Sequence, residues 1–240
     1  MIIQMSFGMK NISDDYIIGI SYGFHDSAVA LIQNGKVLNA VEEERFTGIK
    51  HDFSFPINSI NWILKQNNIS SKDISTVCYY ENPKLKHDRD WKSYWKYFWK
   101  NPFKFPKRLN HLDDLEQIFP LSKIIYNNHH LSHLSYSYFT SDFQESAILS
   151  VDGVGEWDTT VLASGKDNII KRYSEVVYPH SLGLLYSTIT AFLGFKPNEG
   201  EYKVMGLAPY GTHLFHHKKF DKLIKETEDG FELNMDYFAY

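Results

Sequence analysis

Three histidines fall within five positions in "NNHHLSHLSYSYFTS", residues 127–141. If the segment is helical, His129 and His133 lie one turn apart and about 40° from each other around the axis. Two imidazoles so placed can share one metal ion. His130 and His133, three apart, come close to the same arrangement. No glutamate follows the first histidine, which excludes the H-E-x-x-H pattern of zinc proteases. The competing reading is a polar helix start with no ligand. Asp152 bears on that choice, because "ILSVDGVGEWDTTVL" places it at the carboxyl end of an apolar strand. A carboxylate there opens onto the sheet edge where α/β proteins bind ligands. With His129 and His133 it makes a two-histidine, one-carboxylate set, suited to Fe(II) or a similar divalent ion.

Gly153 and Gly155 follow Asp152 and would let backbone N–H groups approach an anion. A turn in which the aspartate caps its own backbone is the alternative. A second strand-and-glycine loop, "GISYGFHDSAVAL", carries His25 and Asp26. His25 fits a general base or a substrate contact and Asp26 its orienting partner, unless both are ordinary exposed loop residues. A fourth group, Glu42, Glu43, Glu44 and Arg45 in "EEERFTGIKHDFSFP", ends a strand. Such charges are commonly solvated, although alternate ones must face the interior side of the sheet.

These residues need elements to hold them. Period-2 runs predict strands at "YIIGISY", "SAVALIQ" and "KVLNAVEEE", with Asn34-Gly35 as a tight hairpin turn between the last two. A helix "PINSINWILKQN", a strand "ISTVCYY", a helix "LDDLEQIF" and a strand "KIIYNN" precede the histidine helix. The order then starts again, with strands "SAILSVDG", "DTTVLASG" and "NIIKRYSEVV" and a helix "SLGLLYSTITAFLG". Two related subdomains of α/β class with mixed sheets follow from this repetition. We expect the first over residues 1–143, with an aromatic helical insertion at about 84–110, and the second over 144–240. The second half stops near its first helix, which leads us to expect that it is incomplete and is finished by further sequence or another chain.

The insertion "DRDWKSYWKYFWKNPFKFPKRL" sets Trp91, Tyr94, Trp95, Phe98 and Trp99 on one helical stripe and Lys92, Lys96 and Lys100 on another, with Pro102 and Pro106 ending it. A basic aromatic helix can lie on a membrane or stack on bases. We read it as packing on its own domain, because the net charge of the 240-residue chain is −4. That charge also argues against general binding to nucleic acid or anionic membrane. The single cysteine, Cys78, sits in an apolar run and reads as a reduced core residue. With no signal-peptide pattern and no long apolar stretch, a cytoplasmic location is expected.

In order, "GFHDSAVALI", "EEERFTGIKH", "YYENPKLK", "HHLSHLSYSYFTS", "VDGVGEWDTTVL", "SLGLLYSTITAFLGF" and "EGEYKVMGLAPYG" resemble the O-carbamoyltransferases of nodulation and antibiotic tailoring, over roughly residues 16–212. The resemblance implies an actin-like ATPase fold of RNase H-like mixed sheets flanked by helices. It implies that His129, His133 and Asp152 bind iron, with a further aspartate from a later region of the family. His25 and Asp26 match a loop near the acceptor and carbamoyl group, and Lys203 matches a lysine lining the same cleft. Glu43, Arg45, Gly153 and Gly155 are the remaining candidate substrate-binding positions. The implied reaction passes a carbamoyl group from carbamoyl phosphate, through carbamoyl-adenylate made with ATP, to a hydroxyl of a small-molecule acceptor. The adenylate-forming domain of the family has no counterpart here, so the chain is expected to need the missing region or a partner, and self-association is a further expectation. The alternatives are a sugar-kinase-like phosphoryl transferase and a non-catalytic binding subunit of the same fold.

Overall fold

A computed structural model describes residues 15–97, 112–212 and 221–238. The chain divides into two compact units, with the break between His129 and His130. In the first unit, β1 (Tyr16–Ser21), β2 (Ala28–Gln33) and β3 (Lys36–Glu42) form an antiparallel meander. The Asn34-Gly35 turn has both residues at positive φ, 52° and 72°, as a type I′ hairpin requires, and pairs Gln33 with Lys36. β4 (Ile74–Tyr79) then joins β1 in parallel, and β5 (Lys123–Tyr126) joins β4, for an order β3-β2-β1-β4-β5. This is the RNase H-like mixed sheet expected from the sequence.

β1 lies at its centre, so Ile18 and Ile20 are almost wholly buried beside Val29, Leu31 and Val77. α2 (Ile57–Gln66) adds Ile60 and Ile63, and α4 (Leu112–Ile118) adds Leu115, with Phe119 just beyond it. The third strand is two residues shorter than its expected span of 36–44. The chain turns at Glu43 into a short helix, α1 (Glu44–Thr47), because the Glu43 side chain is drawn inward. α3 (Pro83–Tyr97) carries the described part of the aromatic stripe. Tyr94 is buried, but Trp95 is 63% exposed, so the stripe does not pack as one face. Phe98, Trp99, Lys100, Pro102 and Pro106 lie outside the described residues.

The second unit is built on α5 (His129–Phe139), from its second residue on, and a three-stranded antiparallel sheet of β6 (Glu145–Val151), β7 (Asp158–Lys166) and β8 (Ile169–Val177). Leu134 and Tyr138 of α5 pack on Ile148, Val161 and Ala163. A Cβ at Gly165 would lie 2.5 Å from the Tyr138 ring, so only glycine lets α5 approach β7 this closely. α6 (Leu182–Phe192) starts with Ser181, whose hydroxyl accepts from the Leu184 N–H, and α7 (Glu201–Leu207) follows. Near the end of the described residues lies a hairpin, β9 (Ile224–Thr227) with β10 (Gly230–Leu233), that the sequence reading did not anticipate. Leu233 and Phe238 give it a small core shared with Leu185. Among the described residues no helix is long and apolar enough to cross a membrane.

Candidate functional site

In the first unit, the chain leaves β1 through a loop at residues 22–27. Backbone bonds from Gly23 N to Phe53 O (2.9 Å) and Ser27 N to Asp52 O (2.7 Å) tie this loop to the segment after α1. Asp52 is buried and accepts from Thr47 Oγ1 (2.7 Å) and Ser54 N (2.9 Å). Between these ties, His25 Nδ1 and His51 Nδ1 each lie 2.9 Å from a different oxygen of Asp26. Burial alone would raise the Asp26 pKa. Hydrogen bonds from His51 and His25, with their charge, outweigh it and hold the carboxyl below the ordinary range. His25 and Asp26 are therefore brought together as expected, with His51 as an unanticipated third member. Phe24, Ile49 and Phe53, all about 60% exposed, are its neighbours in sequence.

Glu43 and Arg45 are not brought to this cluster. Glu43 is buried, and its two oxygens accept from Asn58 N and Nδ2 and from Ser59 N and Oγ at 2.6–3.1 Å. The carboxylate thus anchors the start of α2, where N–H groups lack helical partners and the dipole favours negative charge. Arg45 lies at the surface with its guanidinium on Glu42 (3.1 Å).

Beyond β4, Glu81 is buried and accepts from Lys86 Nζ at 2.7 Å. Its other oxygen is 3.9 Å from His129 Nδ1, and the His129 ring sits edge-on to Tyr80. The sequence reading missed Glu81. The available signal was the one used for Asp152, a carboxylate just past the end of an apolar strand.

α5 continues from His129 as one helix, so its first and fifth residues present their side chains one turn apart. His130 points the other way and is fully buried, with Nδ1 2.9 Å from Ser150 Oγ and Nε2 2.9 Å from Asp158 O. A carbonyl only accepts, so Nε2 donates to it, and the neutral ring takes the Ser150 hydroxyl at Nδ1. His130 is thereby a structural residue that sets the rotation of α5. His133 is half exposed, with Nε2 3.8 Å from Asp152 Oδ2. That separation is too long for a hydrogen bond. One ligand atom from each of His129, His133 and Asp152 lies within 4.8 Å of the others. A modest closure would give bonds of about 2.1 Å to one ion, so the donor set fits a divalent metal.

The Asp152 loop is held from behind. Asp152 Oδ1 accepts from Gly153 N (2.6 Å), while Ser181 Oγ donates to Gly153 O (2.6 Å) and Asp152 O (3.2 Å). A Cβ on Gly183 would stand 2.6 Å from Asp152 O and Gly153 N. Ser181 and Gly183 were read only as a helix start, yet they fix the aspartate. The N–H groups of Gly153 and Gly155 bond within the loop, the latter to Asp158 O at 2.9 Å. Lys203 is exposed on α7, with its ammonium about 6 Å from the centres of the Phe195 and Tyr202 rings.

Cys78 is partly buried, and burial pushes its thiol pKa up, which disfavours a reactive thiolate.

With this geometry in place, the family described as "Carbamoyltransferase N-terminus" matches residues 16–102 and 91–240. A protein of Synechocystis sp. described as "Uncharacterized protein sll1178" is 42% identical over 244 residues, 94% of this chain and 40% of that protein. Nodulation protein NolNO of Sinorhizobium fredii is 32% identical over 231 residues, 95% of this chain and 34% of that protein. The chain thus spans less than half the length of either relative. Among solved structures, YeaZ from Pseudomonas aeruginosa aligns at 10% identity over 69% of this chain and 67% of that one, with a TM-score of 0.37.

Proposed function

The chain belongs to the carbamoyltransferase N-terminus family, and from that premise we propose that it is the N-terminal part of a metal-dependent O-carbamoyltransferase. The observation that carries the metal half of this reading is the clustering of His129, His133 and Asp152. We assign these three as ligands of a divalent ion, Fe(II) by donor type, with the remaining ligands supplied by substrate or by further sequence. When bound, such an ion supplies positive charge that polarises a carbonyl or neutralises phosphate oxygens.

The chain's own residues do the rest. His25 Nε2 takes the proton from the acceptor hydroxyl as that oxygen bonds to the carbamoyl carbon. The bond from that carbon to the phosphate oxygen of carbamoyl-adenylate breaks, and AMP leaves with the electron pair. Asp26 stabilises the imidazolium that forms. Lys203 is assigned to the anionic part of the substrate. Carbamoyl phosphate and ATP are the co-substrates in this scheme, in the cytoplasm, with the adenylate made by sequence beyond this chain. Glu43 has no substrate role in it, because its oxygens are already committed to α2.

The test uses a polypeptide extended to the length of the relatives, given carbamoyl phosphate, ATP and a panel of hydroxylated acceptors. A carbamoylated acceptor, with AMP released, is expected. A phosphorylated acceptor without carbamate would overturn the proposal in favour of a kinase-like activity.

A further inference from the structure

Asp26 and His51 both adopt left-handed backbone conformations, at φ 49° and 56°. L-residues other than glycine rarely do so, and such positions persist only where the surroundings over-determine them. The bracing is visible on both sides. Ser27 N bonds to Asp52 O, and His51 N bonds to Glu44 Oε2 at 3.1 Å. What the two conformations achieve is a single carboxylate shared by two rings, with Oδ2 on His25 Nδ1 and Oδ1 on His51 Nδ1.

An ionised carboxylate can only accept, so both Nδ1 atoms carry hydrogen. The neutral rings then leave Nε2 unprotonated, and among the described residues neither Nε2 has a hydrogen-bond partner. With Oδ1 taken by His51, the Asp26 carboxylate cannot rotate away from His25. We propose that His51 is a positioning residue: acting through Asp26, it locks His25 in the Nδ1–H tautomer, with Nε2 available to accept a proton. This inference rests on the reading of His25 as the base that receives the acceptor's proton.

Two substitutions at His51 separate position from chemistry. Glycine and asparagine both tolerate the left-handed backbone. Asparagine Nδ2 stands where histidine Nδ1 stands, two bonds beyond Cβ, and can donate to Asp26, whereas glycine cannot. The chain is labelled with 15N-histidine, and ring tautomers are read from long-range 15N–1H correlations at alkaline pH, with circular dichroism reporting the fold. In the unsubstituted chain His25 is expected as the Nδ1–H form. His51→Gly is expected to shift it toward the Nε2–H form that free histidine favours, and His51→Asn to restore it. A His25 tautomer unchanged in His51→Gly, or Nε2–H from the start, overturns the positioning role. In the extended polypeptide, His51→Gly should lower kcat with the acceptor KM unchanged, and His51→Asn should recover it. If His25→Ala leaves transfer unchanged, the base assignment itself is wrong, a result independent of the tautomer measurement.

Discussion

Two loops of this molecule start alike and end in different chemistry. Each leaves the end of an apolar strand and holds a glycine and an aspartate, Gly23 and Asp26 after β1, Asp152 and Gly153 after β6. Both oxygens of Asp26 are held by imidazole N–H groups at 2.9 Å. Asp152 has one oxygen on its own loop and the other across 3.8 Å from His133, with no hydrogen bond between them. A carboxylate saturated by donors orients its neighbours, whereas Asp152 Oδ2 stands near an imidazole without a hydrogen bond to it, the spacing on which the metal proposal rests. Similar local sequence therefore sets one aspartate between two imidazole donors and the other in a cluster of possible metal ligands, and the difference is made by what stands opposite.

The sharpest way to break this contrast is to remove the group opposite. His133→Ala is expected to weaken divalent metal binding, measured by titration of Fe(II) or Mn(II) under anaerobic conditions, by more than the 10- to 100-fold (about) that outer partners of metal sites typically cost. His51→Ala is expected to leave the same affinity unchanged. Equal losses in the two variants would erase the distinction.

A smaller effect tests the support behind Asp152. Gly183→Ala drives a methyl group into the backbone at Asp152 and Gly153, which cannot give way as a flexible side chain would. Overpacking of this kind costs about 1–3 kcal/mol, so thermal unfolding should occur at a lower temperature and metal binding should weaken with it. An unchanged affinity would mean that the loop is fixed by other contacts.

The smallest effect concerns how each loop is held. The first is tied to Asp52, whose carboxyl is kept below the ordinary range by hydrogen bonds from Ser54 and Thr47 that outweigh burial. A depressed folded pKa gives stability that is fully present above the unfolded value of about 3.9 and is lost as pH falls through the folded value. The second loop is held by the Ser181 hydroxyl and by contact, neither of which titrates. Thermal melts between pH 7 and pH 3 should fall less steeply for Asp52→Asn than for the parent. Parallel curves would show that Asp52 contributes nothing to the acid sensitivity.

Much of the frame was legible because its signals are local. The Asn34-Gly35 turn, the alternation in β1 and β2, and the run of α5 each follow from residues within a few positions. The grouping of His129, His133 and Asp152 was legible for the same reason, since helical spacing and a strand end are both short-range patterns. What escaped depends on long-range pairing. His51 meets Asp26 across 25 residues, and Glu43 reaches α2 across 15 or 16. Gly183 looks like any small residue in a helix start until the loop it touches is known. The β9–β10 hairpin was missed because its strands are four residues each, and its apolar anchors find their partner in α6.

The burial of His130 has a consequence for the order of events as the protein matures. Its two bonds reach Ser150 on β6 and the Asp158 carbonyl at the start of β7, so they exist only once that sheet has formed against α5. Before then, those two bonds cannot fix the rotation of α5 or the heading of its neighbouring histidines. Under the metal proposal, loading would be downstream of folding in the second unit, and an ion that binds only the finished arrangement would in turn protect it. A chaperone or metal donor meeting the nascent chain would find three histidines but no site. The middle one decides when the outer two become a pair.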